Sequence, residues 1–224
     1  MRLALALVSA AAMLAGCLHQ DPAPPDSLLI GNLNQARPSV GQITEDSIVI
    51  LGDSIAQMGN WSSLLAPAAR PVINCGRGGD RILDVALRVP EVADRQPAVI
   101  VLICGTNDVG SGLIYEPQEW IPVAADCYAA ILAQISERSP HTRVICVPVI
   151  RTTDRTRSQI AWSLDQWILL PLAQAAGAQW CEAAWYAVDP DQGHLDSTGI
   201  HLTPAGYDAL AGALLPMLVP SGGG

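Results

Sequence analysis

The sequence predicts an α/β protein, with a mostly parallel sheet covered by helices on both faces. Three observations carry this. Ser47–Leu51 and Ala98–Cys104 are short apolar runs rich in β-branched residues, as strands buried on both faces are. Segments of helical spacing lie between such runs; in Arg81–Val92, Ile82, Val85, Ala86 and Val89 share one face. The apolar runs also end in polar, glycine-bearing motifs, Gly52-Asp53-Ser54 and Gly105-Thr106-Asn107-Asp108. Open α/β folds place their ligands at such carboxyl-edge turns.

Taken in order, the chain opens with a processing segment. Met1-Arg2 is a short basic start, and Leu3–Leu14 is an apolar run too short to span a bilayer as a helix. Leu14-Ala15-Gly16-Cys17 then resembles a bacterial lipoprotein signal. That resemblance implies a signal peptide over 1–16, acylation of Cys17 and an exported, membrane-anchored protein facing the periplasm or the cell exterior. A plain secretory signal is the other reading. Residues 17–45 are polar and turn-rich, a tether whose later part is expected to pack on the domain as an arm. The domain is expected over 46–224.

Within it, the first strand turns at Ser54 into a helix ending near Pro67. Arg70–Asn74 reads as a second strand, running into the loop Cys75-Gly76-Arg77-Gly78-Gly79-Asp80. The helix from Arg81 and the most apolar strand, Ala98–Cys104, come next. After a loop with Gly110, Gly112 and Pro117, Glu119–Arg138 is a long amphipathic helix closed by Ser139-Pro140. Thr142–Ile150 is a fourth strand, Arg151–Arg157 a polar loop, Ser158–Ala176 a helix stopped by Gly177, and Ala178–Glu182 a short fifth strand. Ala183–Ile200 reads as a long loop and Pro204–Leu218 as the last helix, with Pro204 at its first turn. No internal repeat or second core is visible, and 224 residues suit one domain of this kind.

The formal net charge is −9, and all twelve cationic side chains are arginine. That balance argues against a nucleic-acid partner, which needs a basic face. There is neither a G-x-G-x-x-G fingerprint nor a G-x-x-x-x-G-K-[ST] loop, so nucleotide binding has little support. Beyond Cys17 the cysteines are Cys75, Cys104, Cys127, Cys146 and Cys181, without a C-x-x-C spacing, and no metal site is expected. Cys104 and Cys146 lie in apolar strand runs and read as small buried hydrophobes.

Ser54 stands at a strand-to-helix turn, where free N–H groups and the helix dipole favour developing negative charge. That suits a nucleophile; it also suits a plain helix cap. Gly78-Gly79-Asp80 and Gly105-Thr106-Asn107-Asp108 add polar groups at two further strand ends, and Gly199-Ile200-His201-Leu202-Thr203-Pro204 precedes the last helix.

With these four motifs in order, the sequence resembles the SGNH, or GDSL-type, esterase and lipase family over about Asp46–Leu218. The resemblance implies a three-layer αβα sandwich, flavodoxin-like, with about five parallel strands. It implies Ser54 as nucleophile, His201 as general base, and an oxyanion hole from the backbone N–H groups of Ser54 and Gly79 and the side-chain amide of Asn107. No cofactor is expected. A hydroxyl is a weak nucleophile that needs an imidazole to take its proton. Fixed N–H donors stabilise the tetrahedral oxyanion, each worth about 2.7–4 kcal/mol of barrier. Asp53 and Asp80 read as structural, satisfying loop and helix N–H groups.

One position departs from the family. An aspartate usually stands three residues before the histidine; here that residue is Thr198, with Asp196 two residues earlier and Asp189 and Asp191 on the same loop. Asp196 reaching His201 by another loop path is the first expectation. A Ser–His dyad oriented by a backbone carbonyl or by Thr198, and weakened catalysis, are the others. His194 reads as a loop histidine. Gly-Gly-Asp followed by Arg81–Arg88 is also similar to the platelet-activating-factor acetylhydrolase-like branch, a hint of short acyl groups such as acetyl. The expected function is hydrolysis of small-molecule or glycan carboxylic esters through an acyl-serine. The alternatives are a non-catalytic glycan- or acyl-binding module and an O-acetyl transferase. The oligomeric state is not legible.

Overall fold

The computed structural model describes residues 40–113 and 115–219. The expected signal peptide, Cys17 and the tether to residue 39 lie outside the described residues. From residue 40 the chain makes a short 3-10 turn, Val40–Gln42, and Ile43 then packs into the core.

Five parallel strands form the sheet: β1 Ile48–Gly52, β2 Val72–Gly76, β3 Val99–Ile103, β4 Arg143–Cys146 and β5 Gln179–Trp180. Their order is β2-β1-β3-β4-β5, the flavodoxin-like arrangement. The chain order reverses between β1 and β3, so a crevice opens outside their carboxyl ends. Gly52 pairs in register with Gly76 of β2 and Ile103 of β3, which brings three strand ends side by side.

Every residue of β1 and β3 is buried. Alternation divides them between two cores. Val49, Leu51, Ile100 and Leu102 face one layer; Ile48, Ile50, Val99, Val101 and Ile103 face the other. The helices, in chain order, are α1 Ser54–Met58, α2 Trp61–Leu64, α3 Ile82–Ala93, α4 Thr106–Ser111, α5 Pro117–Arg138, α6 Arg155–Leu164, α7 Leu170–Ala175, α8 Glu182–Ala187 and α9 Pro204–Leu218. A π-helical turn, Asp165–Leu169, joins α6 to α7. Helices α3, α5, α6 and α7 cover the first face, and α1, α2, α8 and α9 the second. Among the described residues no helix is long and apolar enough to cross a membrane.

The second layer fixes the geometry between the two ends of the domain. The Trp61 ring meets Tyr207 edge-on at 5.6 Å, and the Tyr207 hydroxyl donates to Ile55 O at 2.9 Å. Helix α9 is thereby tied to α1. Among the described residues the five cysteines are buried and form no disulfide.

The elements depart from the sequence expectation at specific places. The first helix is broken into α1 and α2 at Gly59-Asn60. The fourth strand ends at Cys146 rather than Ile150, because Val149 N–H leaves the sheet and donates to the buried Asp165 carboxyl at 3.1–3.2 Å. Asp165 opens the π turn that interrupts the expected Ser158–Ala176 helix, and burial pushes its carboxyl well above the usual range. Two segments expected as loop contain helices, α4 and α8.

Candidate active site

The first half of the site is built on the ends of β1, β2 and β3. Gly52 closes β1 where a Cβ would lie 1.7 Å from Ile103 O, so only glycine lets the strands stay this close. Asp53 caps α1, its Oδ1 accepting from Ile55 N–H at 2.9 Å. Ser54 is the first helical residue. At the end of β2, Gly79 adopts φ +84°, and open space surrounds the place a Cβ would take. Among the described residues neither the Ser54 nor the Gly79 N–H is tied to a backbone carbonyl in a turn, loop or cap. At the end of β3, Asn107 sits in the first turn of α4 and its Nδ2 donates to Asp80 O at 2.8 Å. Asp108 Oδ2 accepts from Ile82 N–H at 3.0 Å. The loops carrying Gly79 and Asn107 thus hold one another.

Beneath them lies a buried arginine that the sequence reading did not single out. Arg88 donates to Asp80 Oδ2 from Nε at 2.8 Å and from Nη2 at 2.5 Å, to Cys75 O at 2.9 Å and to Gly52 O at 3.1 Å. One side chain therefore joins the end of β1, the end of β2 and the Gly79 loop. Its signal in the sequence is its place three residues after Val85, on the apolar stripe of α3, where an unpaired cation would be costly. Burial raises three carboxyls in this half of the site. Asp53 is pushed up to about 6 and Asp108 to about 7, and Asp80 stays above its ordinary value even with Arg88 beside it.

The second half is a hairpin before α9. Leu195 and Leu202 pair antiparallel, Asp196 N–H donates to His201 O at 2.8 Å, and Gly199 N–H donates to Asp196 O at 2.9 Å. Thr153 N–H donates to Gly199 O at 3.0 Å, pinning the turn to the loop after β4. Thr203 Oγ1 caps α9 by accepting from Gly206 N–H at 3.2 Å. The hairpin delivers His201 Nε2 to 3.1 Å from Ser54 Oγ, although the two residues are 147 positions apart. An imidazole at that distance can take the hydroxyl proton.

The carboxylate expected directly behind the ring is not there. The group facing His201 Nδ1 is the Thr198 hydroxyl, at 3.3 Å. Asp196 stands one step further back: its Oδ1 accepts from Thr198 N–H at 2.9 Å and from the Thr198 hydroxyl. The physical reason is local. An aspartate whose carboxylate accepts the N–H two residues on closes an Asx turn, and this commits Asp196 to Thr198 rather than to the ring. Asp189 caps the turn at Pro190–Gln192 by accepting from Asp191 N–H. His194 Nδ1 accepts from Asp189 N–H at 3.0 Å, as befits a loop histidine.

The loops flagged in the sequence around Gly110–Pro117 and Arg151–Arg157 meet on the flank of α4. There a groove of about 320 Å³ is walled by Gly112, Pro117, Trp120, Thr156, Ile160 and Trp167. Among the described residues no cluster of three His, Cys, Asp or Glu side chains is placed to hold a metal ion.

Residues 50–209 match the model of the GDSL-like Lipase/Acylhydrolase family. The chain belongs to that family. It is a carboxylic ester hydrolase. A comparison with curated proteins finds no matching sequence. Several solved structures share the fold. A Streptococcus pneumonia protein assigned as a platelet activating factor is 16% identical, with a TM-score of 0.63 over 97% of this chain and 99% of that one. TesA is 20% identical, TM-score 0.63, over 78% of this chain and 98% of that one. Axe2, an acetylxylan esterase from Geobacillus stearothermophilus, is 17% identical, TM-score 0.60, over 80% of this chain and 98% of that one. Within the GDSL-like family frame, the four motifs read from the sequence fall on three adjacent strand ends and the hairpin facing them.

Proposed function

We propose that the chain hydrolyses carboxylic esters of short acyl groups, acetyl foremost, through an acyl–Ser54 intermediate. Ser54 Oγ adds to the ester carbonyl while His201 Nε2 takes its proton. The oxyanion is held by the N–H groups of Ser54 and Gly79 and by Asn107 Nδ2. The C–O bond to the alcohol then breaks, and the alcohol leaves with the proton from His201. Water, deprotonated by the same imidazole, attacks the acyl–serine and releases the acid. The observation that carries this reading is the 3.1 Å approach of His201 Nε2 to Ser54 Oγ across 147 residues of chain.

The preference for short acyl groups is supported by the platelet-activating-factor-like motif around Gly79 and by the fold shared with an acetylxylan esterase. A panel of p-nitrophenyl esters of rising acyl length tests it, with Ser54→Ala alongside. Turnover highest for acetate and absent in Ser54→Ala is the expected result. A rate that climbs with chain length would instead assign the apolar groove beside α4 to the acyl chain. We also propose that the enzyme works at a membrane surface, exported and anchored through acylated Cys17. Metabolic labelling with palmitate that disappears in Cys17→Ser supports this; unchanged labelling refutes it.

A further inference from the structure

We propose that Asp196 and Thr198 act together as a positioning relay, in which the carboxylate orients His201 through the Thr198 hydroxyl. The proposal deepens the reading of Ser54 and His201 as nucleophile and base, and rests on it.

The Asp196 carboxylate accepts from both the N–H and the hydroxyl of Thr198. Those bonds, the hydroxyl's foremost, hold it below the usual carboxylate range, so it is ionised and can only accept. The single proton of the Thr198 hydroxyl is therefore committed to Asp196. What Thr198 Oγ1 offers elsewhere is lone pairs. Ile200 N–H and His201 N–H lie 3.3 and 3.4 Å from it, and both are donors. His201 Nδ1, at 3.3 Å, is satisfied by this oxygen only if it too carries a proton. A proton on Nδ1 leaves the lone pair on Nε2, and Nε2 is the nitrogen facing Ser54 Oγ. The relay thus selects the tautomer that can act as base. When the imidazolium forms, its charge lies one hydroxyl away from a carboxylate.

No proton needs to travel along the chain. The hydroxyl keeps its proton throughout, and Nδ1 keeps its own; only Nε2 gains and loses one. A carboxylate acting through a hydroxyl is a weaker partner than one in contact, whose loss costs on the order of 10⁴ in rate. A smaller factor, roughly 10 to 100, is expected here.

The test compares Thr198→Val, Thr198→Ser, Asp196→Asn and the double variant Thr198→Val/Asp196→Asn, reading kcat, KM and the pH profile of kcat/KM. Thr198→Val removes the hydroxyl at constant shape and should lower kcat about 10- to 100-fold with KM unchanged. Thr198→Ser keeps the hydroxyl and should retain most of the rate, separating the relay from packing of the methyl group. Asp196→Asn should lose a similar factor and move the acid limb of the profile to lower pH. The double variant should be no slower than the worse single one, since both break one chain. Thr198→Val within twofold of wild type, or losses that multiply in the double variant, would overturn the relay. If Ser54→Ala is inactive while Thr198→Val is unimpaired, only the relay fails. If Ser54→Ala is active, the underlying reading fails.

Discussion

The half of the site that carries Ser54 stands on three buried strand ends, whereas the half that carries His201 is a hairpin near the surface. Gly52, Asp53, Asp80 and Arg88 are held by one another and by the sheet; Arg88 is 7% exposed and Asp53 fully buried. Asp196, Thr198 and His201 depend instead on hydrogen bonds within a short turn, on the Thr153 contact to Gly199 and on the Tyr207 tie to α1. The contrast separates two jobs. The oxyanion donors must not move as charge develops, and a buried network keeps them still. The base must exchange a proton with substrate and water, which a partly exposed imidazole can do. Damage to the buried network beneath the first half should therefore read out as stability, and damage to the hairpin as rate.

Four changes break or sharpen that comparison, in falling order of effect. Arg88→Leu leaves Asp80 without its cation in the interior, and should cost about 3–5 kcal/mol by chemical denaturation. Asp196→Asn, at the surface, should move the same midpoint by no more than about 0.5 kcal/mol. Equal losses would remove the distinction between the halves. Asn107→Ala should lower kcat by roughly 10²–10³, the worth of one oxyanion donor, at nearly unchanged KM.

The third concerns pH. Asp53 near 6 and Asp108 near 7 hold protons more tightly in the folded chain than unfolded aspartates, which titrate near 3.9. Between about pH 4 and 7 the folded state therefore binds more protons, and stability should rise as the pH falls through that window. Asp196 has the opposite sign, but it is exposed and its contribution is screened. Denaturation midpoints at pH 7 and 5 check this, and Asp108→Asn should flatten the slope. A midpoint that falls on mild acidification would show that the buried carboxyls are already ionised and paired. The smallest effect is that of Tyr207→Phe, which removes the hydroxyl tying α9 to α1 and should cost about 1 kcal/mol with a modest loss in kcat.

Much of the rigid half was legible in the sequence. Continuous β-branched runs identify β1 and β3 because strands buried on both faces need no polar alternation, and the motifs at 52–54, 78–80 and 105–108 lie at or just past the ends of β1, β2 and β3. In the hairpin half the histidine was legible, and Asp196 and Thr198 were both named as groups to orient it, with Asp196 placed first. Whether Asp196 meets the ring depends on the Asx turn it closes on Thr198 and on how residues 195–202 fold back, and the fold-back is set by the pairing of Leu195 with Leu202 and the contact to Thr153. Arg88 left a signal, a cation on the apolar stripe of α3, but its role in joining β1, β2 and the Gly79 loop follows only from its buried partners, Gly52 O, Cys75 O and Asp80. Helix α4 escaped because Gly110 and Gly112 read as loop, while its first turn is held by Asp108 and Asn107 reaching across to α3 and its preceding loop.

The central claim is that Ser54, activated by His201, is the nucleophile. Intact-mass analysis after treatment with a fluorophosphonate probe tests it most directly. The account predicts a single adduct on the wild-type chain, mapped to Ser54 by peptide analysis, slower labelling in His201→Ala and none in Ser54→Ala. A wild-type chain that stays unlabelled, or a Ser54→Ala chain labelled at the wild-type rate, would contradict it.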